Sequence, residues 1–246
     1  GEIIDGYYYY KGAIKGSAGL VQVEDAYYFI LKDGAVQTGR YTINGSEEFG
    51  IEKGTYYFFA DGKLNLAKGV YEGRYYNDQG MSEAYAGLVE VDGAKYYIQS
   101  GGNVTVGRYF ISKLNGLMEK KQSFTFFDDG RMLEDTRIYK DGYYYENGLR
   151  TPYAGLVEYE GNFYYVGDSG KYMANQRYLV SNVNNTGKAK GYYYFDENGQ
   201  ILYNVIKDGR YYGADGMAPY NVGVVEVDGK LYYNNGTHGA LRKSAT

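Results

Sequence analysis

Thirty acidic side chains, a single histidine and no cysteine are what the chain offers for catalysis. Glycoside hydrolysis needs two carboxylates placed as acid and base. Most of the Asp and Glu here stand in Asp-Gly or Glu-Asn-Gly pairs, where turn formation accounts for them. His238 falls in the last hairpin turn, away from any nucleophile motif, so Ser-His and zinc chemistry lack support. Without cysteine there is no thiol, disulfide or Cys-metal chemistry. No phosphate-cradling glycine loop is present. The acidic turns match neither the calcium-binding nonapeptide nor the helix-loop-helix calcium pattern. An enzyme is not expected, nor a cofactor or a metal.

The abundant chemistry lies in the rings. The chain has 35 Tyr and 10 Phe but no Trp. A Tyr ring buries an apolar body and keeps a hydroxyl that needs a partner. Such residues suit many thin, half-wet layers better than one thick core. With 37 Gly and 2 Pro, they point to short strands and tight turns. Formal net charge is −4, and no run of Lys and Arg forms a basic footprint, so nucleic acid is not an expected partner. No window of about 18 apolar residues exists to span a membrane. A chain that opens on Gly1 rather than Met reads as a fragment of a longer protein.

The rings recur in register. Ala18-Gly19-Leu20-Val21 returns as Ala86-Gly87-Leu88-Val89, Ala154-Gly155-Leu156-Val157 and Val222-Gly223-Val224-Val225, in steps of 68 residues (86−18, 154−86, 222−154). Tyr28-Phe29 returns as Tyr96-Tyr97, Tyr164-Tyr165 and Tyr232-Tyr233. Each long unit holds three segments. The first runs from Gly-Leu-Val to an Arg-Tyr pair, at Arg40, Arg108 or Arg177. The second carries Tyr57-Phe58-Phe59, Phe126-Phe127 or Tyr194-Phe195 before an Asp/Asn-Gly turn. The third carries Tyr71-Glu72-Gly73-Arg74-Tyr75-Tyr76 and its equivalents ending at Tyr145 and Tyr212.

Each segment reads as a β-hairpin. Val89-Glu90-Val91 alternates apolar and polar, Asp92-Gly93 suits a primed two-residue turn, and Ala94 to Gln99 returns. Adjacent Tyr side chains point to opposite strand faces, so one ring packs inward while the other lines a surface. A lone hairpin is marginal in water, so neighbours must stack to bury the inward rings. Longer insertions at 42–54, 111–122 and 179–191 have loop composition. They read either as a stacked recognition surface or as tolerated surface insertions.

The pattern Gly-x-Tyr-Tyr-Phe-x-x-x-Gly, seen in Gly191-Tyr192-Tyr193-Tyr194-Phe195-Asp196-Glu197-Asn198-Gly199-Gln200-Ile201, resembles the cell-wall-binding repeats of Gram-positive surface proteins. That group includes choline-binding repeats, glucan-binding repeats and the repetitive oligopeptides of clostridial toxins. The resemblance covers nearly the whole chain. It implies a β-solenoid of hairpins, an extracellular location at the cell wall or cell surface, and non-covalent binding of wall polymer or glycan. One departure matters: choline-binding repeats use Trp, the strongest cation-binding ring, and this chain has none. Arg40, Arg74, Arg108 and Arg210 stand near the comparable places and would repel a quaternary ammonium. Glycan therefore fits better than choline.

The expected architecture is all-β: one elongated β-solenoid over 1–246 of about eleven stacked hairpins. Its long units are 18–85, 86–153 and 154–221, with partial units 1–17 and 222–246. Most rings would pack in the core, and only outward ones would touch ligand. The candidate ligand-binding residues are Tyr28, Tyr76, Tyr96, Tyr97, Tyr145, Tyr164, Tyr165, Tyr212, Arg40, Arg108 and Arg177. The expected function is non-catalytic binding of cell-wall polymer or carbohydrate through many weak sites. The alternative is a spacer or adhesin that binds a host surface protein.

Overall fold

A computed structural model describes residues 1–17 and 19–242. Ala18, the first residue of the first repeat motif, lies outside the described residues, as does the end of the last partial unit. The chain is all-β, a β-solenoid built of hairpin repeats. Among the described residues there are eleven small antiparallel sheets, nine of two strands and two of three, and no helix. They fall into two compact units, Gly1–Leu133 with six sheets and Glu134–Thr246 with five.

The turn chemistry explains the hairpins. Val91 pairs with Ala94 across Asp92-Gly93, whose φ angles of 50° and 76° are those of a primed turn. Tyr159 pairs with Asn162 across Glu160-Gly161 in the same way. After most hairpins the chain makes a second tight turn, as where Gly199 N–H donates to the Asp196 carbonyl and Asp196 N–H to the Gln200 carbonyl. Gly199 has φ +79°, and a Cβ there would overlap the Tyr172 ring. Only glycine fits so close an approach.

Within each unit, neighbouring hairpins are joined by recurring backbone bonds. Tyr8 N–H donates to Gly34 O and Val36 N–H returns to Gly6 O. The same reciprocal tie links Tyr75 with Gly102 and Val104 with Gly73. It recurs between Tyr144 and Gly170, Tyr172 and Gly142, and again between Tyr211 and Gly239, Leu241 and Gly209. Three of these ties carry an arginine clamp, one of them Arg150, which donates to the Ser169 carbonyl at 3.0 Å. Arg74 donates to the Gly101 carbonyl at 2.7 Å, and Arg210 to the carbonyls of Thr237 and His238 at 2.7 and 2.9 Å.

Stacking produces a chain of small cores. Leu88, Tyr97, Ile111, Phe124, Phe126 and Met132 form one in the first unit. Leu156, Tyr165, Val180, Tyr193, Phe195 and Ile201 form its counterpart in the second. Leu88 and Leu156 are wholly buried, each contributing about 2 kcal/mol of burial. Val224 has their place in the last hairpin and is 65% exposed.

The insertions form the long loops of the second hairpins, between Gly39–Ile43 and Gly54–Phe58, Gly107–Ile111 and Gln122–Phe126, and Gln176–Val180 and Gly191–Phe195. Two of them brace the preceding hairpin. Asn115 donates to Ala86 O and Leu88 O, at 2.6 and 2.8 Å. Asn184 donates to Ala154 O and Leu156 O, at 2.5 and 2.8 Å.

Candidate ligand-binding site

Alternation along a strand does not by itself decide which rings reach the surface: the stacked hairpins cover both members of the pairs Tyr75-Tyr76, Tyr144-Tyr145 and Tyr164-Tyr165, against the expectation that one ring of each pair faces out. Tyr28, Tyr97, Tyr145, Tyr164 and Tyr165 are buried, and Tyr96 is half-buried. Several have structural employment. Tyr145 donates to Asp141 Oδ2 at 2.7 Å, and Tyr164 accepts from Gln200 Nε2 at 3.0 Å. Tyr97 lies 3.2 Å from Ser112 Oγ, and Tyr165 packs against Tyr178 at 4.8 Å. A ring so covered offers a ligand little face. These six serve the cores.

Tyr76 and Tyr212 stand apart. They occupy equivalent places, the last strand residue of the third hairpins Gly69–Tyr71/Arg74–Tyr76 and Val205–Lys207/Arg210–Tyr212. Both rings are fully buried, and neither hydroxyl has a hydrogen-bond partner among the described residues. A buried hydroxyl left unpaired costs roughly 1–3 kcal/mol. The comparison within the fold is sharp: Tyr56 and Tyr193, equally buried, donate to the Glu52 and Ala189 carbonyls at 2.9 and 2.7 Å.

Around Tyr76 the first unit builds a box of rings. Tyr57 and Tyr71 stack nearly parallel, 4.9 Å apart with 6° between planes. Tyr76 lies 5.9 Å from both, and Phe59 meets Tyr57 and Tyr71 edge-on at 5.9 and 5.5 Å. Tyr57 and Tyr71 are half-buried and Phe59 is exposed, so the box opens to solvent. Arg40 sits directly opposite Tyr57 in the hairpin register. Burial pushes the Tyr76 phenol above its ordinary value, while the Arg40 and Arg74 guanidinia pull it back. Burial also raises Tyr57, helped by Glu72, which accepts its hydroxyl at 3.3 Å.

The second unit repeats the plan with other residues. Arg177 sits opposite Tyr194, and Tyr194 meets Tyr212 at 5.9 Å. Burial raises the Tyr212 phenol, Arg177 and Arg210 oppose that, and Asp208 adds to it. Lys207 replaces Tyr71 and lies 5.4 Å from the Tyr194 ring. One substitution explains how the two arginines differ. Tyr192 lies diagonally across the hairpin from Arg177, and the guanidinium stacks on its ring at 3.5 Å. That stacking leaves Arg177 half-buried, with Nε and Nη2 buried and unpartnered. In the first unit Thr55 holds the diagonal place, so Arg40 has no ring to lie on and stays exposed. Arg108 is exposed, opposite Thr125 rather than a tyrosine.

The structure thus brings Arg40 to Tyr76 and Arg177 to Tyr212, and places Tyr28, Tyr96, Tyr97, Tyr145, Tyr164 and Tyr165 in the cores. Sequence reasoning did not select Tyr57, Tyr71, Phe59, Tyr192, Tyr194 or Lys207 as site residues. The signal was the pairing of Arg40 with Tyr57 and Arg177 with Tyr194, which the long loops at 44–53 and 181–190 hide.

No family model matches the chain, and no curated protein matches it. Solved structures do. Choline binding protein F from Streptococcus pneumoniae is 20% identical over 98% of this chain and 92% of its own, with a TM-score of 0.36. The choline-binding domain of CbpL from Streptococcus pneumoniae is 18% identical over 85% of this chain and all of its own, with a TM-score of 0.45. An alternansucrase in complex with isomaltononaose is 19% identical over 98% of this chain and 16% of its own, with a TM-score of 0.35. The matches include several choline-binding protein domains, of the cell-wall-binding repeat family that the sequence motifs resemble.

Proposed function

We propose that the chain is a non-catalytic repeat module of an extracellular, cell-surface protein, acting as one array that binds cell-wall polymer or glycan. The observation that carries this reading is the recurrence of an arginine beside a ring cluster, at Arg40/Tyr57/Tyr76, which opens to solvent through half-buried Tyr57, and at Arg177/Tyr194/Tyr212, where both rings are buried beneath the half-buried arginine. Sugar C–H faces pack on aromatic rings, and Arg and Tyr supply hydrogen bonds to hydroxyls. Each site is shallow and binds weakly alone. Sites on one array add through effective concentration, so long polymers bind far more tightly than their fragments.

The test is co-sedimentation with Gram-positive sacculi, with and without teichoic acid, competed by choline and by soluble glucans. The expected result is pelleting that a wall polymer or glycan relieves and choline does not. Equal affinity for a monomer and its polymer, or no pelleting under any condition, would sink the reading.

A second reading, an adhesin or spacer that binds a host surface protein, draws on a different observation. Tyr85 and Tyr153, equivalent residues of successive repeats, are 54% and 67% exposed. Both hold positive φ, at 54° and 55°. A bulky residue is costly in that region, and exposed rings on strained backbone suit a protein contact. Capture of a host protein with no affinity for sacculi would favour it.

A further inference from the structure

The two ring boxes share a feature that wall or sugar binding in general does not require. Each buries a tyrosine hydroxyl with no partner, and each sets two arginines about it. Tyr76 lies within the electrostatic reach of Arg40 and Arg74, and Tyr212 within that of Arg177 and Arg210. Arg74 and Arg210 are fixed by their backbone clamps. Arg177 is fixed by stacking on Tyr192, and its Nε and Nη2 are buried without a partner. Among the described residues no carboxylate lies within ion-pair distance of Arg40 or Arg177. The acidic neighbours are Glu72, which holds the Tyr57 hydroxyl, and Asp208 in the turn beside Tyr212. An arginine with no acidic partner therefore stands twice, at equivalent places, near a buried phenol that no described residue satisfies.

We propose that the boxes at Arg40/Tyr76 and Arg177/Tyr212 are subsites for an anionic oxygen group, a carboxylate or phosphate, carried on the bound polymer. This rests on the polymer-binding reading and names the group that the array recognises. A guanidinium presents a fork of N–H donors that matches both groups, and a phenol O–H adds a third bond to the same oxygens. The neighbouring rings hold the adjoining sugar. Because the two phenols are covered, the anion reaches Tyr76 when the exposed Arg40 chain and the half-buried Tyr57 and Tyr71 rings turn aside. That is a rotamer movement with no change in the hairpins. The same donors disfavour a quaternary ammonium ligand, which would meet two positive charges in each box.

The test is calorimetric titration of the whole chain with three soluble polymers: oligogalacturonate for carboxylate, poly(glycerol phosphate) for phosphate, and dextran as the neutral control. At least one anionic polymer should bind more tightly than dextran, and which one does so identifies the source of the group. Arg40→Gln with Arg177→Gln should weaken that polymer roughly tenfold or more, the loss of charged hydrogen bonds. Tyr76→Phe with Tyr212→Phe should weaken it less, with the melting temperature unchanged or raised, which separates lost binding from lost folding. Lys32→Gln with Lys53→Gln, exposed lysines outside the boxes, should leave affinity as it was. Dextran binding as well as the anionic polymers, or arginine variants that bind like the parent, would overturn the anion assignment and leave glycan binding standing. Failure to bind any polymer or to pellet with sacculi would overturn both.

Discussion

The cost of function is visible at single residues. Tyr56, Tyr76, Tyr193 and Tyr212 are alike in burial, yet only Tyr56 and Tyr193 have a hydrogen-bond acceptor. The difference is where the hydroxyl points. The long second-hairpin loops bring a carbonyl four residues back over Tyr56 and Tyr193, whereas the hairpins that end at Tyr76 and Tyr212 turn in two residues and supply none. Removing an unpaired hydroxyl relieves its desolvation, while removing a paired one leaves an orphan carbonyl. Tyr76→Phe and Tyr212→Phe should thus leave stability unchanged or raise it by up to about 1 kcal/mol, and Tyr56→Phe and Tyr193→Phe should lower it by about 1 kcal/mol. Urea unfolding of the four variants checks this, and equal losses in all four would show the hydroxyls of Tyr76 and Tyr212 to be satisfied.

At the scale of the hairpin, the turns carry the specificity. Glu160 holds φ 50° at the first place of a primed turn, where Asn or Asp is better tolerated. Glu160→Asn should raise stability by about 0.5–1 kcal/mol, because Asn adopts the left-handed region at lower cost. The opposite holds at Gly199, where a Cβ would meet both an unfavourable φ and the Tyr172 ring. Gly199→Ala should cost about 2 kcal/mol. Thermal melts distinguish the two cases. A neutral Gly199→Ala would mean that the second turn is pliant and does not fix the stacking of the next hairpin. The longer loops matter in another way, since Asn115 and Asn184 turn what looks like an insertion into a brace for the hairpin before it.

The whole molecule substitutes repetition for a large core. Many small cores place many phenols in low dielectric, which has a collective consequence at high pH. Burial pushes the Tyr193 phenol to about 12, and it raises Tyr28, Tyr56, Tyr75, Tyr76, Tyr96, Tyr144 and Tyr212 in the same direction from the ordinary 10.0. A phenol with a raised pKa stays protonated in the fold while the unfolded chain ionises. Its contribution to stability is complete below pH ~10 and is lost as the pH climbs from there toward 12. The melting temperature should therefore be flat near neutrality and fall steeply above pH ~10, with phenolate absorbance at 295 nm rising in step with unfolding. Full phenolate absorbance in a chain that keeps its far-ultraviolet β signal would show that the rings are not buried as described.

The sequence by itself determined the period, the hairpins and the class of fold. Glycine at each turn and alternation along each strand are local requirements, and they are written in consecutive residues such as Val89 to Gln99. It also placed the interesting arginines, because Arg40, Arg108 and Arg177 recur in register. Which residue each of the three meets across its hairpin was decided only by tertiary structure. It is Tyr57 or Tyr194 against Thr125, with Thr55 or Tyr192 at the diagonal place. Those partners stand across long loops whose length does not fix register. The inward or outward fate of each Tyr was likewise unreadable, since two adjacent rings have one chemistry and only the stacking of the next hairpin tells them apart. The unpaired hydroxyls of Tyr76 and Tyr212 belong wholly to the folded state, because an absent partner leaves no mark in a sequence.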